Sequence, residues 1–300
     1  MSVEDLLRET LADMAHEEPP PHPDRFLRPL RIRRAHRRGA TLAAAAAVVA
    51  LAMGATIAVQ TLSETSRPVA PTAVRPEPVR SKVTVKEGLR LTDLLDRLAR
   101  LTGKPVESFA KAAEDGRTPG LPTYAKGRLE GFAYPGTYEY TASSTPAEIL
   151  AAMVARFGES AAELGLDAEP APLDVVIIAS LVQAEAPSEA DMPKVARVIR
   201  NRLARDMKLQ LDSPLLYGLG TYGTTARLKD LKSRTPYNTY RYRGLPPGPI
   251  SNPGEAALKA ALHPAPGPWL YYVATDPKRG TLEYATSEAE FAALLERAAD

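Results

Sequence analysis

The chain has 300 residues, 25% of them charged and 44% hydrophobic, with a formal net charge of +2, which is ordinary globular composition with material for one to three domains and an ample core. It contains no cysteine, and this excludes disulfides, thiolate metal sites and a cysteine nucleophile. The first 38 residues hold eight basic and seven acidic side chains, leaving the remainder near neutral with 30 against 29, which argues against a nucleic-acid surface.

Residues 2–18 read as a short amphipathic helix with Val3, Leu6, Leu7 and Leu11 on one side, followed by the Pro-rich Glu18 to Pro23. The whole of 1–38 reads as a cytoplasmic tail of little order. Seven arginines between 25 and 38 immediately precede Ala40 to Val59, twenty residues without a charge, long enough to span a hydrocarbon core. Only four basic residues follow in the equivalent flank, Arg67, Arg75, Arg80 and Lys82, so the positive-inside rule puts the N-terminus in the cytoplasm and residues 61–300 outside. A buried Ala-rich helix or a cleaved signal sequence would have a similar composition. The long tail before the run and the lack of a small-x-small site after it favour a single transmembrane helix over 39–60 in the cytoplasmic membrane. Residues 61–81, with Pro68, Pro71, Pro76 and Pro78, read as an extended linker.

Residues 82–118 predict a strand at Val83–Val85 and a turn at Glu87-Gly88. A helix then carries Leu91, Leu94, Leu95, Leu98 and Leu101 up to Gly103, and a second helix carries Val106, Phe109, Ala110 and Ala113. A unit this small suits an accessory module, either a spacer or a glycan binder. From 119 to 300 the chain reads as an α+β catalytic domain. Leu129 to Tyr138 contains tight turns, and Thr145-Pro-Ala-Glu148 is a capping-box pattern opening a helix with Ile149, Leu150, Met153 and Phe157. Pro172 and Pro187 bracket about four helical turns that are apolar all round, the pattern of a buried central helix. Glu185 is the only carboxylate in its last two turns. There, desolvation and the negative helix end both favour the neutral acid, as a general acid requires; the alternative is a side chain that simply turns to solvent. Asp191 with Pro193 starts a further helix whose basic face, Lys194, Arg197, Arg200 and Arg205, is expected to be solvated.

Residues 208–254 read as loop-rich and dense in potential ligands: Gln210, Asp212, Ser213, Tyr217, Tyr222, Tyr237, Asn238, Tyr240, Tyr242 and Asn252. Tyrosines and amides on stiff loops suit a sugar, whose rings pack on aromatic faces while its hydroxyls need fixed polar partners. Asn252-Pro-Gly-Glu255 is expected to cap a helix reaching Leu262. Trp269 to Ala274 reads as an aromatic strand, turned back at Asp276 to Gly280 into Thr281 to Ala285, and Ser287 with Glu290 caps the last helix. Four scattered histidines give no metal-site pattern.

Several stretches together resemble the YceG-like family of membrane-anchored endolytic murein transglycosylases. They are Leu129-Glu-Gly-Phe-Ala-Tyr-Pro-Gly-Thr-Tyr138, Ala179-Ser-Leu-Val-Gln-Ala-Glu185, Val195-Ala-Arg-Val-Ile-Arg-Asn-Arg-Leu203, Leu209-Gln-Leu-Asp-Ser-Pro214 with Tyr217-Gly218, Pro236-Tyr-Asn-Thr-Tyr240, Gly244 to Gly254 and Ala261-Leu-His-Pro264. The resemblance implies that 82–118 is LysM-like and that 119–300 carries the catalysis, with Glu185 as the catalytic acid. Many relatives have a second acid where this chain has Gln183. It further implies cleavage of the MurNAc to GlcNAc β-1,4 bond of nascent strands without water as nucleophile, leaving 1,6-anhydro ends. No cofactor is required, and the expected partners are peptidoglycan strands, the cytoplasmic membrane and cell-wall synthases. Gln210, Asp212, Ser213, Tyr217, Tyr237, Asn238, Tyr240 and Asn252 are the candidate substrate-binding residues, with Asn238, Tyr240 and Asn252 offered to the N-acetyl group or the oxocarbenium-like state. Asp212 is either a turn or orienting residue or the general base of a water-using muramidase. A catalytically silent wall-binding scaffold is the alternative of a different class.

Overall fold

The computed structural model describes residues 79–114, 118–276 and 281–299. The expected tail, the expected span at 39–60 and nearly all of the expected linker lie outside these residues. Among the described residues the fold is α+β, with eight α-helices and two separate two-stranded antiparallel sheets.

The centre is α4 (Pro172–Glu185), in which Val175 to Val182 are all buried. Its composition leaves no polar stripe, so it is stable only when other elements cover every side. That cover comes from α5 (Met192–Ala204), α6 (Asp212–Gly218) and α7 (Glu255–Leu262). The one buried polar side chain in its middle, Ser180, donates to Ile177 O (2.8 Å) and accepts from the Ile250 N–H (3.1 Å), so its hydroxyl is satisfied. On another side runs the turn through Gly131, at φ +91°, where a Cβ would lie 2.5 Å from Pro249 and 3.1 Å from Val176 of α4. No other residue allows both that backbone conformation and that approach.

The expected helices and caps form at the N-terminal side. β1 (Ser81–Val85) leads into α1 (Leu91–Thr102), which ends at Gly103 in the left-handed conformation, and α2 (Val106–Ala113) follows. The strand partner of β1 is β2 (Gly136–Tyr140), paired from Ser81↔Tyr140 to Val85↔Gly136 and thus beyond residue 118. Val83, Leu94, Leu98 and Phe109 join the same core cluster as α4. α3 (Pro146–Leu164) opens with the reciprocal Thr145–Glu148 capping box.

Two features differ from the sequence reading. Arg197 and Arg200 of α5 are not simply solvated: they donate to the carbonyls of Pro264, Ala265 and Ala261, satisfying acceptors at and beyond the C-terminal end of α7. Asn252 does not cap α7. The cap residue is Gly254, whose N–H donates to Gln183 Oε1 at 2.9 Å, while Asn252 is used elsewhere.

The chain closes with the hairpin of β3 (Tyr271–Asp276) and β4 (Thr281–Ala285) and with α8 (Glu288–Ala299). Strand alternation splits its side chains. Tyr271 and Ala285 face α8, where Tyr271 stacks on Phe291 at 5.1 Å and Leu294 is buried, whereas Tyr272, Leu282 and Tyr284 pack toward the main core.

Candidate active site

Glu185 is the last residue of α4. Ala186 leaves the helix in extended conformation, with its N–H still donating to Val182 O (2.9 Å), and Pro187 prevents continuation. The helix thus delivers the carboxyl to the edge of the core, beside the start of α6 and the site-facing side of β3.

The start of α6 is held by a relay of buried polar contacts. Asn238 is fully buried, donating to Leu231 O and Ser233 O and accepting from the N–H groups of Tyr240 and Arg241, so it clasps its own loop. Thr239 then accepts from the Leu211 N–H (2.9 Å) through Oγ1 and donates back to Leu211 O (3.1 Å). Gln210, at φ +50°, donates its N–H to Thr239 O, and its side-chain oxygen faces the Arg202 guanidinium at 3.5 Å. Arg202 itself is buried, donating also to Leu209 O and Leu270 O. These contacts place Asp212 and Ser213 against Glu185.

The Glu185 carboxyl meets two hydroxyl donors. Ser213 Oγ donates to Oε1 at 2.6 Å and the Tyr272 hydroxyl donates to Oε2 at 2.9 Å. Burial raises the Glu185 pKa; the Ser213 hydroxyl, the Tyr272 hydroxyl and the Ser213 N–H lower it, and the nearby Asp212 charge raises it again, with a net upward shift. Tyr272 is held well above its ordinary pKa by burial and then by Glu185, so it stays a donor. Asp212 accepts from the Tyr240 hydroxyl at 2.7 Å. The arrangement is one carboxyl whose pKa is raised, with two hydroxyl donors ready to receive its anion, next to a second carboxyl bonded by a tyrosine.

The structure thus joins Glu185, Asp212, Ser213 and Tyr240 directly, with Gln210 one contact behind. It separates the other candidates. Tyr217, at the opposite end of α6, donates to Glu130 Oε2 (3.0 Å), and its ring lies 4.9 Å from that of Tyr237. Asn252 is buried, with Oδ1 accepting from the Gly131 and Ala133 N–H groups and Nδ2 donating to Leu89 O and Glu130 Oε1. The amide atoms of Asn238 and Asn252, expected to face a ligand, are used inside the protein, where they hold the framework of the loops. Glu130 also accepts the Leu91 N–H, supplying from 39 residues away the cap that α1 lacks locally. Burial pushes its pKa up to about 7 against the pull of these donors.

Sequence reasoning missed Tyr272 and Arg202. Alternation along 271–276 separates Tyr271 from Tyr272, but which of them faces the end of α4 depends on the docking of the hairpin. Among the described residues no cluster of histidine, aspartate and glutamate could hold a metal ion.

The protein-family model described as the YceG-like family matches residues 40–297. A Bacillus subtilis (strain 168) protein named endolytic murein transglycosylase is 37% identical over 150 residues, covering 49% of this chain and 42% of the relative. A protein of the same name from Streptococcus pneumoniae serotype 2 (strain D39) is 29% identical over 242 residues, covering 71% and 44%. The chain thus spans less than half the length of these curated relatives. The 2.6 Å crystal structure of a YceG-like protein from Listeria monocytogenes superimposes with a TM-score of 0.64 at 30% identity, covering 71% of this chain and 75% of that one.

Proposed function

The chain belongs to the YceG-like family, and from that premise we propose that it is an endolytic lytic transglycosylase. It cuts the MurNAc to GlcNAc β-1,4 bond of nascent peptidoglycan strands, leaves 1,6-anhydro-MurNAc ends and thereby terminates strand elongation. The names of its relatives support the reaction class. The observation that carries it is the Glu185 carboxyl at the edge of the core, bonded to Ser213 and Tyr272, with its pKa raised by burial and by the Asp212 charge.

Neutral Glu185 gives its proton to the glycosidic oxygen as the C1–O bond breaks. The two hydroxyl donors stabilise the carboxylate left behind, and Asp212 adds negative charge beside the oxocarbenium-like centre. The carboxylate then takes the proton of the MurNAc 6-hydroxyl while that oxygen bonds to C1, which restores the neutral acid. The two proton transfers are successive, so one carboxyl serves both, and no water enters the product.

Mass spectrometry of digested glycan tests this reading. Anhydro ends, lighter by one water than reducing ends, are expected from the wild type, and Glu185→Gln should lower their release by about 10²- to 10⁴-fold. Reducing ends would instead establish a muramidase using Asp212 as base. A protein that cuts nothing, and whose Glu185→Gln form keeps its cellular role, would be a scaffold.

We also infer that residues 39–60 anchor the chain once in the cytoplasmic membrane, with the catalytic part outside and within reach of cell-wall synthases. The twenty uncharged residues and the arginine asymmetry support this. A reporter that matures only outside the cytoplasm, fused after residue 81, should be active. Activity only in the cytoplasm would reverse the orientation.

A further inference from the structure

The site-facing side of the terminal hairpin carries more aromatic surface than Glu185 needs. Tyr272 and Tyr284 are cross-strand partners with ring centroids 6.3 Å apart. The Trp269 ring lies 5.7 Å beyond Tyr284. The three rings therefore form a row that begins at the Tyr272 hydroxyl on Glu185 and leads outward, and all three remain partly exposed. Tyr272 and Tyr284 rest one side on the main core and leave the other partly exposed, while the hairpin's other face, Tyr271 and Ala285, is buried against α8.

The row is rigidly built. Asn201 of α5 donates to both Gly267 O (3.0 Å) and Trp269 O (2.8 Å), fixing the backbone on either side of the indole. The indole occupies the space that a Cβ on Gly267 would take. Tyr284 donates to Asp191 Oδ1 at 3.2 Å, and Asp191 is in turn held by Ser188 through Oδ2 at 2.7 Å. Over the outer two rings stands Lys194, exposed, with its ammonium 5.2 Å from the Tyr284 centroid and 5.7 Å from that of Trp269. Among the described residues no carboxylate pairs with it.

We propose that Trp269, Tyr284 and Tyr272 form a glycan subsite continuous with the catalytic carboxyl, and that Lys194 recognises a carboxylate on the lactyl-peptide substituent of a sugar lying there. The proposal rests on the peptidoglycan reading of Glu185 and adds to it a direction for the strand and a basis for preferring peptide-bearing glycan. Pyranose rings present apolar C–H faces that pack on partly exposed aromatic rings. A cation held over two rings is placed to meet an anion carried by the same ligand. Because the ammonium sits above the outer rings and not beside Glu185, it reads a substituent and takes no part in bond cleavage.

Trp269 is the only tryptophan in the chain, so intrinsic fluorescence reports on the subsite directly. The full chain carrying Glu185→Gln would be titrated with chitotetraose, which has no carboxylate, and with a purified peptidoglycan tetrasaccharide bearing its peptide stems, with binding followed in parallel by calorimetry. Both ligands should shift the indole emission. Lys194→Met should weaken the stem-bearing fragment about three- to tenfold, the scale of one ion pair over aromatic rings, and leave chitotetraose binding where it was. Trp269→Ala should weaken both about five- to tenfold. If calorimetry records binding while the emission does not move, or if Lys194→Met weakens both ligands equally or neither, the subsite is refuted. Lys194→Met changes an exposed side chain and does not depend on how Trp269→Ala folds. Release of anhydro ends by the wild type is scored separately: its absence refutes the catalytic reading, whereas cleavage with a silent indole refutes the subsite alone.

Discussion

Tyr272→Phe removes the hydroxyl that donates to Glu185 Oε2 at 2.9 Å and keeps the ring in place. A hydrogen bond to a charged acceptor contributes about 1.5–3 kcal/mol and one to a neutral acceptor about 0.5–1.5 kcal/mol. The hydroxyl therefore favours the carboxylate over the acid by about 1–1.5 kcal/mol, which is about one pKa unit. Its loss should raise the Glu185 pKa further. Because the first step needs the neutral acid, the alkaline limb of the kcat/KM profile for anhydro-end release should move up by about one unit. Tyr272 remains protonated throughout the assay range, held well above its ordinary pKa by burial, so the limb does not report its own titration. The measurement is initial rate against pH for both proteins, with circular dichroism to check that the fold is retained. A limb that stays in place or moves down in a folded variant would refute the role given to the hydroxyl, and with it the electrostatic account of how Glu185 is poised.

Asp212→Asn removes the nearby charge that raises the Glu185 pKa, so the alkaline limb should move down, opposite to Tyr272→Phe; movement in the same direction would contradict the assignment. Glu130, held up to about 7 by burial, is more easily protonated in the folded chain than in the unfolded one. Its contribution to stability is complete below about pH 4.5 and is lost as pH rises through 7. Urea unfolding between pH 4.5 and 8 should show a loss on the order of 3 kcal/mol in the wild type that is missing in Glu130→Gln, and identical slopes would count against it. Gly131→Ala combines a positive φ with a Cβ 2.5 Å from Pro249. It should cost about 2–5 kcal/mol, read as a lowered thermal midpoint, from backbone strain and overpacking together; an unchanged midpoint would show that the turn can relax.

Much of the framework was legible because local pattern and burial agree. The all-round apolar run between Pro172 and Pro187 has the pattern of an enclosed helix, and Glu185 is the last residue of that helix. Gly103, the Thr145–Glu148 box and the final hairpin were legible for the same reason: each is decided by neighbours in sequence. What was hidden depends on which distant group a polar side chain meets. An asparagine in an aromatic loop looks the same whether its amide faces a sugar or its own backbone, and Asn238 and Asn252 both face backbone. The two-turn helix α6 is not legible in the sequence because seven residues carry too little periodicity, although Asp212-Ser213-Pro214 is a helix-start signal. Tyr272 was invisible as a partner because its role is fixed by the hairpin docking beside the end of α4.

Glu130 and Asn252 knot together three stretches far apart in the chain: 88–91, 130–133 and 252 itself. Cutting the polypeptide after residue 118 would leave β2 without its mate and two buried groups facing the gap left by Leu89 and Leu91. The front portion is thus less a detachable adaptor than a buttress. Shortened versions of this chain should begin before Ser81, and a graft that exchanges the front portion must bring along a matching replacement for both knot residues.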